Sequence, residues 1–188
     1  MTMRAPMDRA SIHPDATVAN ARVGAGSKIW QHASVIRGAV IGEDCSVGAG
    51  ATIDGALIGD RCLIQSGARI YAGTVIGSDV FVGPNSVFCN DMWPECDKAG
   101  FDPDLFAKGK RAILVGNRAV ICAGVQIVPG VCIGHGAMVA AGCRVERNVP
   151  DNMILRPGGY LSEIPADRRE RRMRFAIPDA RTLVEANA

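Results

Sequence analysis

From Ile58 onward the chain repeats a hydrophobic signature at every sixth residue: Ile58, Ile64, Ile70, Ile76, Val82 and Phe88. Four places after each of the first five stands a small or β-branched side chain, namely Cys62, Ala68, Thr74, Val80 and Ser86. A helix returns to one face every 3.6 residues and a half-buried strand every two, so neither element alone produces this spacing. A flat run that turns a corner every six residues does. Three such runs close one triangular coil of about eighteen residues, and stacked coils pair each short strand with the next at about 4.8 Å.

The register extends in both directions. It opens at Ile12 and Val18, slips by one residue at Val23, holds through Ile29, Val35, Ile41, Val47 and Ile53, and slips again at Ile58. It vanishes over residues 89–114 and returns as Val115, Ile121, Ile127, Ile133, Val139 and Val145. No small position along the way is large or charged. The pattern predicts an all-β parallel β-helix of about seven triangular coils over residues 12–150, preceded by a flexible N-terminus, 1–11. The gap predicts one long external loop, leaving from the second corner of the fifth coil, and loops of that length tend to be functional. Residues 151–188 form a C-terminal extension with a short helical tail, because Ser162 and Pro165 read as a helix start before the run from Arg168 to Arg174.

Composition adds limits rather than a function. The chain has 188 residues, 48% hydrophobic and 21% charged, which suffices for a long core. A formal charge of +2 does not point to nucleic acid. No apolar run reaches the ~18 residues of a membrane span, and Met1–Ala10 lacks the apolar segment of a signal peptide, so a cytoplasmic protein is expected. Of seven cysteines, Cys45, Cys62 and Cys143 fall in the small inward position; the other four show no C-x-x-C spacing. Structural cysteines and no metal are the expectation.

Two corners carry candidate chemistry. The first holds His32, Gly50, Gly67, Asn85, Gly124 and Gly142 on successive coils, a low ridge expected to leave free backbone amides beside a groove. The second holds Arg37, Asp54, Ala72-Gly73, Pro129-Gly130 and Arg147-Asn148. Arg37 and Asp54 suit a phosphorylated sugar, through a guanidinium fork and a hydroxyl contact, or are solvated surface charges. Asn90 and Asp91 stand where the chain leaves the coil, either as a turn starter or as an amide that orients a nucleophile.

The hexad register, KIWQHASVIRGAVIGEDCSVG, VFVGPNSVFCNDMWP and the coils from Val115 to Pro150 resemble the left-handed β-helix nucleotide-sugar N-acetyltransferases, nearest to those acting on UDP- or dTDP-linked 3-amino sugars. The more specific part is Phe88-Cys89-Asn90-Asp91-Met92-Trp93-Pro94. The resemblance implies a left-handed coil, a homotrimer with active sites between subunits, acetyl-CoA as cosubstrate and a role in surface-glycan (lipopolysaccharide) synthesis. It implies Asn90 near the reacting amine. Substrate contacts would come from Asp91, His32, Arg37, Asp54, Tyr71 and Asn85, and acetyl-CoA contacts from Ala123, Gly124, Ala141, Gly142 and Arg147. Three departures stand out: Gln31 and Ser34 where relatives carry histidines, Ala72 after Tyr71 where they often carry glutamate, and Arg156-Pro157-Gly158-Gly159 where they usually end in Gly-Asn-Pro-Ala.

The implied chemistry is attack of a neutral sugar amine on a thioester, with backbone N–H groups stabilising the oxyanion, each worth about 3 kcal/mol. Proximity supplies more, so a strong enzymic base is optional. His32 and Asn90 lie three coils apart, roughly 14 Å, and on different corners, which separates His32 from the reacting amine. Three other readings remain open: O-acetyl transfer, a non-catalytic assembly subunit, and a γ-class carbonic anhydrase-like metalloenzyme echoed by Arg37-Gly38. The last needs three zinc-binding histidines, and His13, His32 and His135 fall at unrelated positions.

Overall fold

A computed structural model describes residues 9–94, 96 and 111–167. They form a triangular parallel β-helix with three faces: nine strands on the first, seven on the second and six on the third. Neighbours on each face come from successive coils, as in Ser11–Ile12 beside Lys28–Ile29 and then Ser46–Val47. Of the 35 buried apolar residues among those described, all but Ile154 belong to one continuous column.

The column is the hexad register made solid. Val35, Val47, Ile53, Ile70, Val82, Phe88, Ile121, Ile127, Val139 and Val145 are fully buried, as are the small residues Ala33, Ala51, Cys62, Ala68, Ala119 and Ala137. Each buried aliphatic side chain gains on the order of 2 kcal/mol, so the repeat supplies its own driving force coil after coil. Ser27 and Ser86 occupy small positions because each hydroxyl bridges two coils: Ser27 Oγ donates to the Gly42 carbonyl at 2.8 Å and accepts the Cys45 N–H at 2.9 Å. Ser86 does the same with Cys122 and Val125.

The slips at Val23 and Ile58 both fall at the second corner, where the five-residue steps turn through a single left-handed residue, Asn20 or Gly55. Ala56 then takes the small position and is fully buried.

Three boundaries differ from expectation. The chain rejoins the third face at Ile113, ahead of the expected Val115, because Ile113–Val115 pairs in register with Thr74–Ile76. Ile113 fills a small position with a large side chain, directly above Thr74, whose buried hydroxyl has no partner. At the C-terminal end the ladder continues past Pro150: Met153–Arg156 extends the first face and turns back as Tyr160–Glu163 in an antiparallel hairpin. Ser162, read as a helix start, lies in that hairpin, held by a bond from Arg156 Nε to its hydroxyl at 3.0 Å. Gly158 and Gly159, both at positive φ, make the tight turn possible. The Arg-rich stretch lies outside the described residues.

The two ends differ. Leu155 of the hairpin closes the upper end of the core and is 1% exposed, whereas Ile12 in the first coil remains 46% exposed.

Candidate active site

The second edge, between the second and third faces, collects most of the acceptor-side candidates. Ile36 pairs with Asp54, Ile53 with Ile70, and Ile70 with Phe88. That register stacks Ile36, Asp54, Tyr71 and Cys89 on successive coils about 4.8 Å apart, with Arg37 and Asn90 one residue further round the same corner. Asn90 and Tyr71 are half-buried there. Asp91 is exposed and accepts the Trp93 N–H at 2.9 Å, which makes it the turn starter of the departing loop. Trp93 itself is 83% exposed.

Arg37 and Asp54 do not reach outward separately. Arg37 Nε donates to Asp54 Oδ1 at 2.6 Å and its Nη2 to Oδ2, so the fork closes on its own neighbour. The Asp54 side chain is 6% exposed and Arg37 74%, so a buried carboxylate holds an exposed guanidinium in place. A carboxylate buried without such a partner would be strongly disfavoured, which is why the pair forms before any ligand arrives. Arg147 is also engaged: its Nη2 donates to the Gly159 carbonyl and ties the hairpin turn to the seventh coil.

The first edge carries His32, Asn85, Ala123, Gly124, Ala141 and Gly142. His32, Asn85, Gly50, Gly67, Gly124 and Gly142 all have positive φ. The free amides of this ridge are not those of the left-handed residues: Gly124 N–H donates to the Pro84 carbonyl and Gly142 N–H to the Ala123 carbonyl, both at 2.9 Å, and the lower coils repeat this. The amides without a partner are one residue earlier, at Ala123 and Ala141 among others. They are exposed on the ridge. His32 lies three coils below Asn90 and on another edge, as counted from the sequence.

The third edge has no candidate from the sequence, yet it is the most highly bonded. Each coil offers a polar side chain that accepts an N–H from the coil below: Asp60 from Glu43, Ser78 from Asp60, Asn117 from Ser78, His135 from Asn117 and Asp151 from His135, at 2.8–3.1 Å. His135 is thereby a structural acceptor. The recurring signal in the sequence is a glycine followed by a short polar residue, as in Gly59-Asp60, Gly77-Ser78 and Gly116-Asn117. A β-carbon on Gly59 would stand 2.8 Å from the Gly77 carbonyl carbon, so the stack admits only glycine there.

Cys45 and Cys62 are buried in the core and joined by a hydrogen bond that lowers the Cys45 thiol and, with burial, holds the Cys62 thiol far above its ordinary pKa; burial raises Cys122 and Cys143. Among the described residues, no group of three His, Cys, Asp or Glu is arranged to hold a metal ion.

The triangular parallel β-helix is a fold shared with solved acetyltransferases and acyltransferases. Residues 6–93 match the family model described as the GMPPB C-terminal domain. The galactoside O-acetyltransferase of Lactococcus lactis is 29% identical over 80 residues, 41% of this chain and 39% of that protein. Among solved structures, the UDP-N-acetylglucosamine acyltransferase of Francisella novicida superposes with a TM-score of 0.59 at 14% identity, over 91% of this chain and 71% of that one. A mutant perosamine N-acetyltransferase of Caulobacter crescentus, in complex with CoA and GDP-perosamine, gives 0.51 at 21% identity, over 83% and 57%. The chain thus matches about two fifths of the curated relative and just over half of the Caulobacter protein.

Proposed function

We propose that this chain transfers the acetyl group of acetyl-CoA to the amino group of a nucleotide-linked amino sugar, with a 3-amino sugar favoured. It would act as a cytoplasmic homotrimer in the synthesis of a surface glycan. The observation that carries the reading is the gathering of Arg37, Asp54, Tyr71 and Asn90 on one edge over four successive coils, at two adjacent corner positions, with Asn90 half-buried where the loop departs. The solved Caulobacter N-acetyltransferase of the same fold, bound to CoA and GDP-perosamine, supports the choice of both substrates.

Each residue then has a part. The Asn90 amide accepts an N–H of the sugar amine and turns its lone pair toward the thioester. The unpartnered amides on the ridge, Ala123 and Ala141, hold the pantetheine arm or the developing oxyanion. As the thiolate departs, the amine loses its proton to solvent, and no enzymic base is required. Because the ridge and the Asn90 group lie on different edges of one chain, a complete site needs the first edge of one copy against the second edge of the next. Light scattering at the mass of three chains would agree with this; a monomer that turns over would not.

Thiol release from acetyl-CoA, measured against UDP-, dTDP- and GDP-linked 3-amino and 4-amino sugars, tests the activity. Turnover on an amino sugar is expected, and Asn90→Ala should lower kcat on the order of 100-fold without shifting the melting temperature. Full activity in that variant would remove Asn90 from the mechanism. O-acetyl transfer is the second reading, favoured by the likeness to a galactoside O-acetyltransferase. Matched hydroxyl sugars separate the two. Neither turnover nor CoA binding would leave a non-catalytic assembly subunit.

A further inference from the structure

Trp30 belongs to neither the core nor any candidate site, and its setting is unusual. It follows the buried Ile29 on the outer side of the first face and is 46% exposed. Its indole Nε1 donates to Ser46 Oγ at 3.1 Å, which fixes the plane of the ring. The residue beside it on the next coil is Gly48, which has no side chain to lay on the ring, and on the coil below it is His13, since Ile29 pairs with Val47 and with Ile12. Lys28, also outward and paired with Ser46, precedes it by two residues. His32 follows by two, exposed at the corner with φ 57°, its N–H bound to the Asp15 carbonyl at 3.0 Å.

A half-exposed aromatic ring, oriented by a hydrogen bond and flanked by a lysine and an imidazole, is suited to a nucleobase joined to phosphate. Distance agrees. On the first edge the bulky polar positions are His32 in coil 2 and Asn85 in coil 5, and the two coils between them carry Gly50 and Gly67. Three coil rises are roughly 14 Å, comparable to the span from the base to the sugar ring of a nucleoside diphosphate sugar.

We infer that Trp30 is the platform on which the base of the nucleotide-linked sugar stacks, with Lys28 and His32 on its diphosphate side. The inference deepens the function proposed above and rests on it. Trp30 is a binding and specificity residue, remote from the reacting amine.

The sequence has two tryptophans, so Trp93→Phe leaves Trp30 as the sole indole reporter. In that background, titration with UDP, dTDP or GDP should quench its fluorescence saturably, and calorimetry should return the same Kd. Trp30→Ala should weaken nucleotide binding roughly ten-fold or more. It should raise KM for the nucleotide sugar by a similar factor while leaving kcat and the KM for acetyl-CoA unchanged. Trp30→Phe, which keeps a stacking face, should restore most of the affinity. Wild-type nucleotide affinity in Trp30→Ala, with acetyl transfer intact, would overturn the platform and leave the activity standing. The same affinity with a smaller assembly would make Trp30 a contact between copies, which also overturns it. A wild-type protein that neither binds a nucleotide nor transfers acetyl would overturn both readings.

Discussion

The first and third edges turn through the same geometry, yet one is bare and the other laced. In both, the left-handed residue of each coil donates its N–H to the coil below: Gly142 to Ala123 on the first, Asp79 to Asp60 on the third. The difference lies in the amide one residue earlier. On the third edge, from Glu43 to His135, it meets a side chain, such as Ser78 N–H on Asn117. On the first edge, Ala123 would need an acceptor at Ala141, and Ser66 one at Pro84, and neither side chain offers one. An exposed N–H without a protein partner bonds to water, so the unlaced edge is the one whose amides can exchange that water for a ligand.

Substituting glycines breaks the comparison most severely. Gly59→Ala on the third edge puts a β-carbon 2.7 Å from Ser78 Oγ and 2.9 Å from the Ser78 nitrogen, and should cost about 2–3 kcal/mol in urea unfolding. Gly124→Ala on the first edge meets nothing within 4 Å and should cost only the left-handed strain, about 1 kcal/mol. Equal losses would mean that the edges do not differ in the way described.

Moving the lacing sharpens it. Asn117→Ala removes the acceptor for the Ser78 amide and should destabilise by about 1 kcal/mol. Ala141→Asn would offer the Ala123 amide an acceptor on the first edge. We expect a gain of less than about 1 kcal/mol together with weaker CoA binding, read by melting curves with and without CoA. A gain with unchanged CoA affinity would separate the free amides from cofactor binding.

The smallest effect concerns charge on the third edge. The hydrogen bond from Arg61, 2.8 Å from its Nε, and the positive charges of Arg61 and Arg118 hold the Asp79 carboxyl below its ordinary value. A lowered carboxylate contributes stability above its unfolded pKa of about 3.9 and loses it as pH falls through the folded value. Asp79→Asn should therefore cost a little stability at neutral pH, small because the pair is exposed, and the difference from wild type should vanish as pH falls below about 4. A difference that persists or grows in acid would contradict that assignment.

How much of this was legible depends on which residues carry it. Inward positions such as Ile64 and Ala68 repeat at a fixed interval, so six-residue counting found the core directly. The lacing escaped because Asp60, Ser78, Asn117, His135 and Asp151 share a role and not a residue type, and act on amides one coil away. Arg37 and Asp54 were recognisable as one edge; their pairing was not, since it depends on Asp54 stacking on Ile36, one residue before Arg37. The end of the repeat was misread near Ser162, where the hairpin outweighs a local helix signal because Leu155 closes the core.

The contrast between the two ends bears on how the molecule comes apart. In a solenoid each coil leans only on its neighbours, so loss of order proceeds from whichever end is cheaper to open. Among the described residues that is the first coil, where Ile12 is half bare, while the antiparallel hairpin clasps the other end. Amide exchange should accordingly slow from one coil to the next between Thr17 and Val139. Peeling from the N-terminal side would release coil 2, with Trp30 and His32, before it reached the coils of Ala123 and Ala141. One end of the groove would thus melt while the other still stood.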